Sequence, residues 1–182
     1  WDVPSHYLAE VATLGRRHRR WLRRWFVVGV WTGLLASLAS IPLLALAAAP
    51  PRGENPTVAL VPAVPGVTVP WAHVGHLLTA ASLAIAWHEV GHALSAVAEG
   101  IPLDGAGAFL LAFVIPGAYV VLCPDRLDDL SPARALRIYY AGVWHNLSMA
   151  VASLALIAAL PIMFWPLYRT GAGVTVKETL PD

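Results

Sequence analysis

Charged residues are scarce in this chain of 182 residues: they make up 13% of it, whereas hydrophobic residues make up 58%. That charged share is about half of what a soluble domain usually carries. Such a composition excludes a disordered chain and argues against an ordinary soluble domain. Cysteine is nearly absent, since Cys123 is the only one. This excludes an internal disulfide framework and any metal site built from cysteines alone. We therefore expect a membrane protein with several spans.

The positive charges are concentrated near the start of the chain. Six of the 12 Lys and Arg residues lie in RRHRRWLRR, at 16–24. The uncharged stretch 25–49 that follows is long enough to cross a bilayer as a helix. By the positive-inside rule, we expect 1–24 to be a basic cytoplasmic segment. Residues 50–70 hold six prolines, which neither a helix nor a central strand tolerates, so we expect an extracytoplasmic loop.

Two further apolar segments, at about 71–98 and 138–165, are expected to be transmembrane helices. Between them, 106–122 is apolar but interrupted by Pro116-Gly117, which favours a short hairpin turning at that pair or a re-entrant segment. Residues 124–137 are expected to be a polar connection. The predicted fold is an α-helical polytopic membrane protein. It has about three transmembrane helices and a short membrane-embedded β-hairpin or re-entrant segment.

The second apolar segment contains an HExxH motif, His88-Glu89-Val90-Gly91-His92. Its two histidines share one helix face, about 6 Å apart along the axis, and can hold one ion, usually zinc. The glutamate can act as general base on a metal-activated water. A structural polar cluster is the alternative. Ionisable groups within an apolar helix are costly, however, and this favours the metal chemistry.

A catalytic zinc site needs a third protein ligand. Asp104 could fold back to supply it, but we expect an Asp-Gly turn that leads into the next strand. Glu99 lies about 10 Å beyond His92 along the helix, so we expect it to be a solvated helix-end residue. His145 is interpreted as a packing residue or a neighbour of the ligands.

The last apolar helix contains a Gly-x-x-x-Asn pattern, Gly142 to Asn146. Gly142 allows a neighbouring helix to approach closely. Asn146, about one turn further, could offer its amide to a substrate backbone or form a hydrogen bond between helices. The residues leave both interpretations open.

Three segments resemble the site-2 proteases, the intramembrane zinc metalloproteases of peptidase family M50. They are HEVGHALSAVAEG, AFVIPGAY and LSPARALRIYYAGVWHN. The resemblance covers about 71–176 and implies part of a catalytic core that cleaves transmembrane segments of membrane-anchored proteins, such as transcription factor precursors. It implies that His88 and His92 bind Zn²⁺ and that Glu89 is the catalytic base. It also implies that Gly142 and Asn146 help to position the substrate.

The resemblance further implies a third zinc ligand, an aspartate in a later DG motif, which does not follow before Asp182. We therefore expect that ligand beyond Asp182, with 177–182 as the tail of a truncated chain. Such a fragment alone would hold zinc weakly and be inactive. The expected partners are membrane-anchored substrates and the lipid bilayer, with no nucleic acid. The expected location is the Golgi or ER membrane, if the chain is eukaryotic.

Three other functions are compatible with parts of the sequence. A catalytically inactive pseudoprotease or scaffold would bind membrane helices without cutting them. Another membrane HExxH protease, such as a prenyl-protein endopeptidase, would need a downstream glutamate ligand, and the segment RIYYAGVWHN argues against it. A metal transporter would not need a glutamate base between its histidines.

Overall fold

The computed structural model describes residues 1–48 and 63–167. Within them the chain forms six α-helices: α1 (Ser5–Arg17), α2 (Arg19–Ala48), α3 (Val74–Glu99), α4 (Pro124–Asp128), α5 (Pro132–Tyr139) and α6 (Ala141–Phe164). Two strands, β1 (Leu103–Leu111) and β2 (Ile115–Leu122), lie between α3 and α4. Most of the loop predicted at 50–70, and the tail predicted at 177–182, lie outside the described residues.

Two stretches are long and apolar enough to cross a membrane, judged by length and composition: Arg19–Ala47 and Ala141–Leu167. The α3 helix, which the sequence predicts to be a further span, is not among them. Its histidines and Glu89 interrupt the apolar run and lower its mean hydropathy. The described chain is therefore mostly helical, with two candidate membrane-crossing helices and a small two-stranded sheet.

The chain divides into two compact units, one formed by residues 1–148 and the other beginning at Met149, within α6. From Met149 to Phe164 its side chains are largely exposed and almost all apolar. A helix that is apolar on every side suits a lipid environment.

The β1 and β2 strands form an antiparallel hairpin, with Leu111 paired to Ile115 next to the turn. The turn lies at 112–114, where Ala112 and Phe113 have positive φ angles of 48° and 62°. Two successive positive φ values are typical of the turns whose twist matches that of a hairpin. The prediction of a turn at Pro116-Gly117 is therefore wrong.

Pro116 fits within β2 because of its position in the ladder. It pairs with Leu110, two residues after Ala108 on β1. Ala108 directs its backbone N–H and C=O toward Trp1, away from β2. Since the pattern repeats every second residue, Leu110 and Pro116 face each other without a hydrogen bond between them. The missing N–H of proline thus removes no bond from the hairpin.

The polar connection predicted at 124–137 contains two short helices, α4 and α5, and α5 packs against α3. The last turns of α3 form the most buried part of the molecule. Gly100 ends the helix with a φ of 87°, and the Ile101 amide donates to the Ala96 carbonyl at 2.9 Å. This left-handed glycine closure turns the chain directly into β1.

Glu99, expected to be solvated, is in fact buried, with a side chain that is 1% exposed. Its carboxylate accepts hydrogen bonds from Arg134 at 2.9 Å, from Arg137 at 2.8 Å and from Arg23 at 3.1 Å. Arg23 lies on α2 and the other two lie on α5. The prediction of a solvated helix end is wrong because a buried carboxylate can be stabilised by cations from distant elements.

Candidate metal centre

His88 and His92 lie one turn apart on the half-buried face of α3. Their Nε2 atoms are 3.1 Å apart, and their ring centroids are 4.8 Å apart. The structure thus brings the two predicted ligands together, with both Nε2 atoms directed to the same place.

The orientation of His92 is fixed by α5. Its Nδ1 atom lies 2.8 Å from the carbonyl oxygen of Ile138, the last buried residue of that helix. A carbonyl accepts a hydrogen bond, so Nδ1 carries the proton and Nε2 keeps a free lone pair. A histidine ligand of a metal is commonly held by such a backbone carbonyl. Sequence reasoning missed this contact because 46 residues separate its partners.

His88 is held by α6. Its Nδ1 atom lies 3.3 Å from the amide of Asn146, and the buried Oδ1 atom of Asn146 has no hydrogen-bond partner. A Cβ added to Gly142 would overlap the ring of His88. Gly142 therefore provides the space for the imidazole of His88, and Asn146 contacts the Nδ1 atom of that ring. The structure places both residues against a predicted ligand.

Two aromatic side chains support this contact between helices. The indole of Trp87 donates to the carbonyl of His145 at 3.0 Å, and the His145 Nδ1 lies 3.3 Å from the Trp87 carbonyl. The two rings stack at 5.0 Å. At Gly91, an added Cβ would lie 2.7 Å from the Ala141 carbonyl oxygen, so α3 and α6 are in close backbone contact. His145 therefore packs between the helices, which is one of the two roles expected from the sequence.

Glu89 lies in the wall of an apolar cavity of about 280 Å³. Residues of α1, α3 and the hairpin form the rest of that wall. The surface of this cavity is almost entirely apolar, so the carboxylate of Glu89 contributes little to it, although the residue itself forms part of the wall.

The donor set fits part of a zinc site. Two imidazole nitrogens on one helix face, each held at its other nitrogen, suit Zn²⁺. Among the described residues, no group of three His, Cys, Asp or Glu side chains could hold a metal. Asp104, which the sequence did not favour as a ligand, is exposed where the register of β1 is irregular. The described residues thus bring together two of the predicted ligands.

Comparison with known proteins gives matches over the part of the chain that contains the two histidines. Residues 76–179, which include most of α3, the hairpin and α6, match the sequence family described as Peptidase family M50. Over 177 residues, the chain is 33% identical to a "Membrane-bound transcription factor site-2 protease homolog" of Arabidopsis thaliana. The matched part is 96% of this chain and 34% of that protein. The chain therefore spans about a third of the length of this curated relative. No solved structure matches it.

Proposed function

Because this chain belongs to peptidase family M50, among the site-2 proteases, we propose that it forms the metal-binding part of an intramembrane zinc metalloendopeptidase. The observation that supports this most is the convergence of the His88 and His92 Nε2 atoms, 3.1 Å apart, beside Glu89. The proposed substrates are transmembrane segments of membrane-anchored proteins, such as transcription factor precursors. The name of the Arabidopsis relative agrees with this class of substrate.

We propose that α3 crosses the membrane together with α2 and α6, as a multi-pass protein with a cytoplasmic N-terminus. The exposed apolar side chains on the first half of α3 suit lipid contact. The arginines at 16–24 suit the cytoplasmic face of the bilayer. In a eukaryotic cell, the compartment would be the Golgi or the ER.

His88 and His92 would hold the zinc ion, and a third ligand would come from outside the described residues. The bound ion would supply a Lewis acid that activates water and polarises the carbonyl of the peptide bond. Glu89 would accept a proton from that water and then deliver it to the leaving amine. Because Glu89 forms part of the cavity wall beside the hairpin, a peptide that approaches from the side of the hairpin would pass close to this residue.

A peptide bond in a transmembrane helix is already hydrogen-bonded, so the substrate must unwind before it is cut. Pairing with the edge of a sheet satisfies the backbone of an extended peptide in place of its helical bonds. We propose that the outer edge of β1 provides this pairing. The cavity lies between β1, β2 and α3, so a strand on this edge would run close to Glu89.

The experiment compares wild type with Glu89→Gln on a membrane-anchored reporter that carries a transmembrane segment. Glutamine keeps the size of the side chain but cannot take up the proton. We expect cleavage to fall by at least about 100-fold, the contribution typical of a general base. Equal cleavage by both would contradict the protease assignment. Retained cellular function without cleavage would favour the inactive scaffold.

A further inference from the structure

The first three residues of the chain lie along the outer edge of β1 as a short third strand. The Val3 amide donates to the Ala106 carbonyl at 2.8 Å, and the Ala108 amide donates to the Trp1 carbonyl at 2.9 Å. The Trp1 nitrogen donates to the Ala108 carbonyl at 2.9 Å. Asp2 faces Gly107 in an antiparallel bridge. These backbone groups of β1 are the ones that an added peptide strand would use.

Side chains fix the position of this segment. The hydroxyl of Tyr119, on β2, donates to the carboxylate of Asp2. A Cβ added to Gly107 would lie 2.6 Å from the Trp1 carbonyl oxygen, so the glycine allows the segment to lie close to the sheet. The contact therefore has a defined register.

The same part of the chain lines the cavity whose wall includes Glu89. Four residues from Val3 to Val11 line one side of it: Val3, Tyr7, Leu8 and Val11. The opposite side comes from β1 and β2, including Ala106, Ala108 and Tyr119. The extended residues thus occupy the sheet edge, while α1 covers the space behind it.

We propose that residues 1–17 form a strap that occupies the substrate-binding edge of β1 and must leave before a substrate strand can bind. This inference rests on the proposed function, because it assigns that edge to the substrate. Two strands cannot use the same Ala106 and Ala108 backbone groups at one time. A substrate therefore competes with the strap, and the resting protein is held in a closed, inactive state.

The chain has a break where such a movement can occur. The α1 helix ends at Arg17, and His18 forms a turn with φ of −103° and ψ of 19° before α2 begins at Arg19. Rotation about this residue would release α1 and the strand while leaving α2 in place. The strap can thus open without disturbing the contacts of the Glu99 carboxylate.

The first test measures hydrogen exchange of the Ala108 amide in the detergent-solubilised protein. Val3→Pro removes the donor to Ala106, and Val3→Ala is the matched control that keeps it. We expect the amide to be protected in wild type and Val3→Ala and to exchange at least about tenfold faster in Val3→Pro. Tyr119→Phe, which loosens Asp2 without a proline, should give a smaller increase, with Tyr139→Phe as its control. Fast exchange of the Ala108 amide in wild type would contradict the proposed strap.

The second test measures binding of a fluorescein-labelled peptide of about 20 residues of Val, Leu, Ala and Gly, long enough to span a bilayer, in the same micelles. If the strap blocks the edge about 90% of the time, its release should tighten binding about tenfold. Binding that is equal in Val3→Pro, Val3→Ala and wild type would contradict the proposal. Neither test requires zinc or cleavage. A failure of the proposed function would instead appear as cleavage by Glu89→Gln, independently of both results.

Discussion

Asn146 contacts the imidazole of His88, whereas the family resemblance assigns it to the substrate. A metal ligand that binds through Nε2 must carry its proton on Nδ1, and that N–H needs an acceptor. Asn146 lies 3.3 Å from Nδ1, and its buried Oδ1 atom lacks a hydrogen bond. Amide rotation brings this oxygen to the Nδ1 proton without moving the backbone. In the structure, Asn146 is therefore placed to orient the predicted metal ligand His88.

This argument predicts the effect of two changes at Asn146. Asn146→Ala removes the acceptor and should weaken zinc binding by about 10-fold to 100-fold, the usual cost of losing such a partner. Asn146→Asp keeps an acceptor oxygen and should bind zinc more tightly than the alanine variant. Competition with a chromophoric chelator measures both affinities. Equal zinc affinity in wild type and Asn146→Ala would show that Asn146 does not contribute to the metal centre.

Gly142 allows a second test with a control on a neighbouring helix. A methyl group at Gly142 would overlap the ring of His88, whereas a Cβ at Gly75 would meet nothing within 4 Å. Gly142→Ala should therefore destabilise the protein by about 1–3 kcal/mol and lower its zinc affinity. Gly75→Ala should leave zinc binding unchanged and stabilise α3 slightly. Thermal unfolding and zinc titration measure the stability and the zinc affinity of both variants. Equal stability and equal zinc affinity in the two would contradict the packing of Gly142 against His88.

Three helices meet at the polar end of α3, where one carboxylate contacts three arginines. Glu99 accepts from Arg23 on α2 and from Arg134 and Arg137 on α5. The Arg134 side chain also donates to the Glu99 carbonyl. Because the Ile138 carbonyl of α5 holds His92, this cluster fixes the helix that orients a predicted zinc ligand. The cluster therefore links the stability of the bundle to the geometry of the metal centre.

Removing this carboxylate should strongly destabilise the protein. Glu99→Gln leaves three partly buried guanidinium groups without their anion, and breaking a buried pair typically costs about 3–5 kcal/mol. The matched control is Glu10→Gln, since Glu10 is exposed on α1. Denaturant unfolding in detergent should show a large loss for Glu99→Gln and almost none for Glu10→Gln. Equal stabilities would show that the cluster contributes nothing.

The sequence indicated the elements better than it indicated their contacts. The HExxH helix and the hairpin follow from local patterns of apolar residues, so they could be predicted. The environment of Glu99 could not, because its arginines lie 35 to 76 residues away along the chain. The turn at 112–114 was missed because Pro-Gly is a strong turn signal, whereas Ala112-Phe113 is not. Pairing of Asp2 with Gly107 has no local signature at all.

At the scale of the whole molecule, membership of peptidase family M50 relates the long apolar helices to the HExxH motif on α3. Two helices are long and apolar enough to cross a membrane, and α3 carries ionisable groups within a largely apolar helix. Such groups are costly within a bilayer unless they have partners, and here Ile138 contacts the imidazole of His92 and Asn146 contacts that of His88. Both imidazoles of the candidate metal centre thus have partners from other helices.

Zinc uptake by the purified protein tests this account most directly. Zinc bound after dialysis is measured by mass spectrometry in wild type, His88→Ala, His92→Ala and His76→Ala. His76 is the matched control, since it is an exposed histidine on the same helix. The account predicts that wild type and His76→Ala bind more zinc than His88→Ala and His92→Ala, each of which loses one of the two predicted ligands that the described residues bring together. Equal zinc content in all four proteins would contradict a metal centre at His88 and His92.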